Sequence, residues 1–345
     1  MTKLIACSQT TVDSLLSVDK LPHKFLNDNH REIRARYQKH FPATKFFYDR
    51  TKTIPHFLDV DSEKYPIPDI SGFNLSLDEV CERRAKELLS LGKVINVSWS
   101  GGIDSTFALL TLYYYANDKS QIRVYGTYNS VIESGNVFDK YINGKIPFDI
   151  HCNRSIGNNY PLKENEIYVT GSMGNDIFYP DNVKGARDSW MILKDNTLEF
   201  KDLLNQPYEH VLSDLNLEFL NDFIKKCPRK IETLQDLRWW VSFSFNWHTC
   251  GANSYIGIGA DRAKQIHPFF GSDDFQRWSI VNTDQTTKTG DYTDERWQLR
   301  DKIAEYTGNS DYSKEKRNVV SVLSNFGNNW VFLMNDYSNV YLQDL

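Results

Sequence analysis

At 345 residues, with 40% hydrophobic and 25% charged residues, the chain suits one large domain or two ordinary ones with ample core. A net charge of −5 argues against a broad nucleic-acid surface, and no apolar run reaches the length of a membrane span. The five cysteines, Cys7, Cys81, Cys152, Cys227 and Cys250, form no Cys-x-x-Cys pair, which argues against structural zinc or an iron–sulfur cluster and fits reduced thiols. The opening Met1-Thr2-Lys3-Leu4-Ile5-Ala6-Cys7 lacks the long apolar core of a signal peptide, so a cytoplasmic location is expected.

Residues 1–75 read as an irregular or helical extension. Within it, 26–41 has helical spacing, and Arg31, Arg34, Arg36 and Lys39 give that segment a basic side of the kind that usually faces solvent. Pro55, Pro66 and Pro68 break the remainder of the extension into short extended pieces. A second unit, 76–345, opens at Ser76-Leu77-Asp78-Glu79, the N-cap signature of a helix running to position 91, with Val80, Ala85, Leu88 and Leu89 towards a core and Gly92 as the stop.

The apolar run Val94-Ile95-Asn96-Val97-Ser98-Trp99 then enters Ser100-Gly101-Gly102-Ile103-Asp104-Ser105, and 107–115 is apolar with helical spacing. This is strand, tight loop, helix. Adjacent glycines let backbone approach a ligand closely, and the free N–H groups and dipole at the helix start favour an anion. Ser100 and Ser105 add hydroxyls, and Asp104 adds a carboxylate suited to Mg²⁺ beside phosphates. Further strands are expected at 121–128, 148–152 and 167–170, the last leading into Gly171-Ser172-Met173-Gly174-Asn175-Asp176. Strands separated by helix-length segments imply an α/β fold with a parallel, doubly wound sheet over about 92–185. Ligands of such sheets sit beyond the carboxyl ends of the strands, so the loops at 100–105 and 171–176 are expected to face one ligand. From 186 to 345 the pattern turns mostly helical, and Trp239, Trp240, Phe243, Phe245 and Trp247 read as core in preference to a base-stacking surface.

The string at 100–105 resembles the PP-loop of the ATP pyrophosphatase superfamily, whose members cut ATP into AMP and pyrophosphate while adenylating a substrate. It lacks the Gly-Lys-Ser/Thr ending of a Walker loop, which disfavours a kinase or GTPase. Three later segments are similar to the synthetase domain of asparagine synthetase and its relatives, including β-lactam synthetases and lasso-peptide cyclases. Thr170-Gly171-Ser172-Met173-Gly174-Asn175-Asp176-Ile177-Phe178 resembles that family's Ser-Gly-x-Gly-x-Asp-Glu-x-Phe loop. Asp261-Arg262 with His267-Pro268-Phe269-Phe270 looks like its Asp-Arg and Pro-Phe-Leu-Asp elements. Gln298-Leu299-Arg300 followed by Lys314-Glu315-Lys316 looks like its Leu-Arg and Arg-x-Lys.

The resemblance implies an adenine nucleotide alpha hydrolase-like domain that uses ATP and Mg²⁺. Ser100, Gly101, Gly102, Asp104 and Ser105 would hold the phosphates, with Asp104 on Mg²⁺. Val97 or Ser98, and the end of the second strand near Gly126-Thr127, would border adenosine, and Thr170 and Gly171 would lie against the nucleotide. Lys316, with Lys314 the close alternative, would steady charge on phosphate and acyl oxygens. The family's Asp-Glu is Asn175-Asp176 here, so either Asp176 takes the metal or one carboxylate ligand is missing. Ser172 replaces an expected acid, and His267 and Gly271 also depart from the pattern.

The glutaminase domain of asparagine synthetases has a cysteine nucleophile at the processed N-terminus. Here position 2 is Thr2, Cys7 is internal, and about 75 residues are too few for that domain. The amine would then be ammonia, a substrate's own amino group, or ammonia from a separate partner. The expected activity is an ATP-dependent, AMP-forming amide ligase acting on a small-molecule or peptide carboxylate. Two alternatives stand beside it: adenylation of a nucleobase or cofactor carbonyl, and a nucleotide-binding module without turnover.

Overall fold

Short β-branched runs alternating with helix-length apolar segments become five parallel strands and their flanking helices in the computed structural model, which describes residues 2–7, 50–53, 66–150, 163–178, 222–232, 236, 239–240, 242–247, 265–282, 296–312, 330–335 and 339–344. In chain order the elements are β1 (Thr2–Cys7), α1 (Leu77–Ser90), β2 (Val94–Ser98), α2 (Ile103–Tyr115), β3 (Ile122–Gly126), α3 (Tyr128–Glu133), β4 (Phe148–Ile150) and β5 (Glu166–Thr170). Next come α4 (Gly174–Phe178), β6 (Ile266–Pro268), α5 (Asp273–Val281), α6 (Trp297–Thr307), β7 (Trp330–Asn335) and β8 (Asn339–Asp344).

The main sheet runs β4-β3-β2-β5-β6, all parallel, which is the order 3-2-1-4-5 counted along the chain. It is a doubly wound α/β sheet. β2 is its centre, with Val97 level with Val124 of β3 on one side and Val169 of β5 on the other. Ile95 and Val97 are fully buried, as strands covered on both faces require. β6 is a strand that the sequence reading does not anticipate. It is three residues long and ends in proline, so only its pairing with β5, Tyr168 opposite Ile266, defines it.

α1 begins at the expected capping box: Ser76 Oγ accepts from the Glu79 amide, and the Glu79 carboxylate accepts from the Ser76 amide at 2.8 Å. That backbone hydrogen bond holds the Glu79 carboxyl below its ordinary pKa. Val80, Ala85 and Leu88 are buried as expected. Arg84 is also buried, and donates through Nε to Phe269 O and through Nη2 to Pro268 O, tying α1 to the end of β6. α2 is apolar nearly all round, with Ile103, Phe107, Ala108, Leu109, Leu110 and Leu112 buried. A helix of that pattern has to be covered on several sides; α1 and α6 both pack on it.

Trp239, Trp240, Phe243 and Trp247 are buried against one another, with Trp239 and Phe243 centroids 4.9 Å apart. Trp239 Nε1 donates to Ser279 Oγ at 2.8 Å and Trp240 Nε1 to Phe223 O at 3.0 Å, so the indole polar ends are satisfied inside the core. This is the core reading for these four; the Phe245 side chain lies outside the described residues. A second sheet, β1-β7-β8, is antiparallel and joins segments far apart in the chain. The sequence reading gives an extension at 1–75 and a helical pattern at 186–345; the strands at Thr2–Cys7, Trp330–Asn335 and Asn339–Asp344 are additions to both. Among the described residues no helix is long and apolar enough to cross a membrane.

Candidate functional site

β2 and β5 are neighbours, yet the chain leaves β2 towards β3 on the opposite side, so the winding direction changes between β2 and β5. In open α/β sheets such a switch point, outside the carboxyl ends of the two strands, is where ligands bind. The loop after β2 is Trp99-Ser100-Gly101-Gly102, and the loop after β5 is Gly171-Ser172-Met173.

The first loop is fixed from behind. Trp99 is buried; its amide donates to Tyr125 O at 2.7 Å and its indole Nε1 to Thr106 Oγ1 at 3.0 Å. Gly101 has φ +79, and a Cβ there would stand 2.6 Å from Ser130 O, so both backbone shape and space demand glycine. Ser134 Oγ donates to Gly101 O at 2.7 Å. The hydroxyls expected to meet phosphate also shape the loop: Ser105 Oγ accepts from the Ser100 amide at 3.1 Å and lies 2.9 Å from Ser100 Oγ. Ser100 is exposed and Gly102 half-buried, so the front of the turn faces outward. Gly102 is the N-cap of α2 and provides no side-chain cap, which leaves the first amides of a 13-residue helix without that partner.

The second loop lies directly against the first. A Cβ on Gly171 would fall 2.6 Å from the Ser105 amide nitrogen, and one on Gly174 would fall 2.7 Å from both Cγ and Oδ1 of Asp104. The two glycine turns are therefore in contact. Met173 between them has φ 74, the left-handed region that favours glycine. The Ser-Gly-x-Gly pattern places its second glycine in that register. α4 then begins at Gly174.

Of the other expected residues, Val97 is fully buried and its neighbour Ser98 half-buried. Thr127 is half-buried at the end of β3, where its side chain caps α3 by accepting from the Ser130 amide at 3.2 Å. Thr170 is buried, and its Oγ1 accepts from the Ser172 amide at 3.4 Å. Asp176 is buried in α4, and its Oδ1 accepts from Ser242 Oγ at 2.8 Å. Arg300 is buried on α6. Asp261, Arg262, Lys314 and Lys316 lie outside the described residues, as does the helix expected at 26–41.

One residue of the site has no counterpart in the sequence reading. Arg296 donates from Nη1 to Asp104 Oδ2 at 2.7 Å, an ion pair whose side chains are 8% and 20% exposed. It sits at φ 53, ψ 38, the left-handed position just before α6. Its only local signal is its place two residues before Gln298-Leu299-Arg300.

Among the described residues no group of three or more His, Cys, Asp or Glu side chains is arranged to hold a metal ion. Asp104 Oδ1 is nevertheless buried without a hydrogen-bond partner among them, and so is Asn175 Oδ1, one residue beyond the glycine that abuts the Asp104 carboxyl. An acceptor-only carboxylate oxygen left without a donor fits Mg²⁺, which is commonly held by one or two carboxylates while phosphates and water complete its octahedron. Compared with protein-family models, with curated proteins and with solved structures, the chain shows no match. What the chain is shown to be is an α/β domain with a five-stranded parallel sheet of order 3-2-1-4-5, consistent with a Rossmann-like fold.

Proposed function

We propose that the loops at the carboxyl ends of β2 and β5 bind ATP as PP-loop enzymes do, and that the protein is an ATP-dependent, AMP-forming amide ligase resembling the synthetase domain of asparagine synthetase. The observation that carries this reading is the contact between the two glycine turns at the uncapped start of α2, where Gly171 abuts Ser105 and Gly174 abuts the Asp104 carboxyl. Loop amides and the helix dipole there suit a polyphosphate.

In the proposed reaction an oxygen of the substrate carboxylate attacks the α-phosphorus of ATP. The bond to the β-phosphate breaks, and pyrophosphate leaves as the acyl-adenylate forms. An amine nitrogen then attacks the acyl carbon, AMP departs with the bonding pair, and the nitrogen loses a proton. The amides at 100–105 and the hydroxyls of Ser100 and Ser105 would hold the β- and γ-phosphates in place. The Asp104 carboxylate would hold Mg²⁺, which supplies charge neutralisation when bound. Lys316, or Lys314, is the proposed cation on the acyl side.

Purified protein incubated with ATP, MgCl₂ and a panel of carboxylic acids should release pyrophosphate with a matching acid, and should turn over to AMP when ammonia, an added amine or the acid's own amino group can take the acyl group. Release of ADP would overturn the reading, and turnover that needs a base-containing substrate would move it to carbonyl adenylation. A second reading, nucleotide binding without turnover, is favoured by Asn175 standing where the family's loop has aspartate. Tight ATP binding with no product from any pair would select it.

A further inference from the structure

Asp176 follows closely on Gly174, the glycine that abuts the Asp104 carboxyl, and its amide donates to Met173 O at 3.1 Å. What holds the Asp176 side chain therefore also holds the second glycine turn. The carboxylate is buried, and one of its partners is Ser242, whose Oγ donates to Oδ1 at 2.8 Å. Ser242 opens a single π-helical turn, Ser242–Asn246. Such turns are rare and occur frequently at functional sites. A hydroxyl carried on one is aimed only as well as the turn itself is fixed.

The turn is fixed from far up the chain. Arg50 is buried, and donates through Nη1 to Phe243 O at 3.1 Å and through its amide to Ser244 O at 3.3 Å. Its Nη2 donates to Gln276 Oε1 of α5 at 2.6 Å and to Pro66 O at 2.8 Å. The guanidinium carbon stands 5.0 Å from the Phe243 ring centroid and 4.7 Å from that of Trp247. Main chain and side chain of one arginine thus grip the two residues that follow Ser242, and Gln276 anchors that grip to α5. A planar guanidinium can serve several acceptors and ring faces together, which a point-like ammonium cannot. We propose that Arg50 is a positioning residue for the nucleotide site: through the π turn it sets the Ser242 hydroxyl on Asp176, and so seats the second glycine turn against the start of α2. This rests on the ATP-binding reading above and adds to it the route by which the segment around residue 50 acts on the site.

The probe is a non-hydrolysable ATP analogue with MgCl₂, titrated by calorimetry into the full chain and into Arg50→Ala, Ser242→Ala and the double variant. Each single substitution should weaken analogue binding about tenfold, the scale on which partners standing behind a site residue act. Because both lie on one route, the double variant should bind about as weakly as the weaker single, where independent losses would multiply to about a hundredfold. Melting temperature should fall further in the double variant than in either single, since the arginine's bonds to Pro66 and Gln276 do not pass through Ser242. A merely structural arginine would move that second readout alone. Arg50→Lys, which keeps a charge between the two rings but not the fork, covers the case in which the alanine variant does not fold. It should weaken analogue binding in the wild-type background and leave it unchanged in the Ser242→Ala background. Wild-type affinity in a folded Arg50 variant or in Ser242→Ala, or losses that multiply in the double variant, would overturn the inference while leaving ATP binding intact. Failure of wild-type protein to bind the analogue would overturn the ATP-binding reading and this inference with it.

Discussion

The α-carbon of Gly171 faces the Ser105 amide so closely that a methyl group on it would stand 2.6 Å from that nitrogen and 2.8 Å from the Asp104 carbonyl carbon. Both obstacles are backbone at the start of a helix, so neither can swing aside. Gly171→Ala should lower unfolding free energy by about 1–3 kcal/mol, the usual cost of overpacking. Gly135→Ala is the matched control, because a Cβ there meets nothing within 4 Å and the backbone is not left-handed. Urea unfolding of both variants checks this: equal midpoints would mean that the two loops do not touch.

Ser105 is expected to contribute through the loop as well as through any ligand. Its Oγ accepts from the Ser100 amide at 3.1 Å, lies 2.9 Å from Ser100 Oγ and donates to Gly102 O at 3.2 Å. Ser105→Ala should cost about 1–2 kcal/mol of stability, as one or two net hydrogen bonds would. Differential scanning calorimetry without nucleotide measures the structural share. An unchanged melting temperature would assign Ser105 to ligand binding alone.

Arg229 and Asp236 form a buried pair, Nη2 to Oδ1 at 3.1 Å, with the guanidinium carbon 3.7 Å from the Trp239 ring centroid. Asp236 also accepts from the Glu232 amide through Oδ2 at 3.2 Å. Asp236→Asn would leave the arginine charge without its carboxylate, and a loss of about 3 kcal/mol is expected. Tryptophan fluorescence should report the change, since the charge lies against an indole. A loss under about 0.5 kcal/mol, the range of ordinary surface substitutions, would show that the pair is not buried as described.

His267 should make the fold acid-sensitive. Burial, reinforced by the nearby positive charges of Arg84 and Lys93 and opposed by Glu87, pulls its pKa down from 6.5 to about 4. Between those values the unfolded chain binds the proton that the folded chain refuses. Stability from this group is therefore complete above about pH 6.5 and declines as pH falls towards 4. Urea midpoints measured from pH 4 to 7 should fall with acidity, and His267→Gln should flatten that slope. A parallel slope in the variant would place the sensitivity elsewhere.

The features legible in the sequence are local ones. A capping box needs only Ser76 and Glu79 three positions apart, and the strand–glycine–helix passage around Gly101 and Gly102 is written in consecutive residues. The meeting of the two loops needs one further rule, that parallel strands present their carboxyl ends on the same side. Arg296 could not be found this way, because its partner Asp104 lies 192 positions earlier and nothing near 296 announces a left-handed arginine. β6 is hidden for a related reason: His267 and Pro268 have little strand character, and the pairing with β5 confers it. Met173 departs from the Ser-Gly-x-Gly pattern in the sequence itself, and its φ of 74 gives that departure a physical meaning.

The antiparallel pairing of β1 with β7 has a consequence for biosynthesis. Thr2 lies opposite Asn335, so the first strand emerges from the ribosome about 330 residues before its neighbour exists. At roughly 5–20 residues per second that interval lasts on the order of 15–65 s. Throughout it, Leu4, Ile5 and Ala6 present open backbone hydrogen-bonding groups to whatever else the cell holds. A lysine at position 3 and a length of only six residues are modest protections, so nascent chains stalled before position 330 should be the form most readily captured by chaperones.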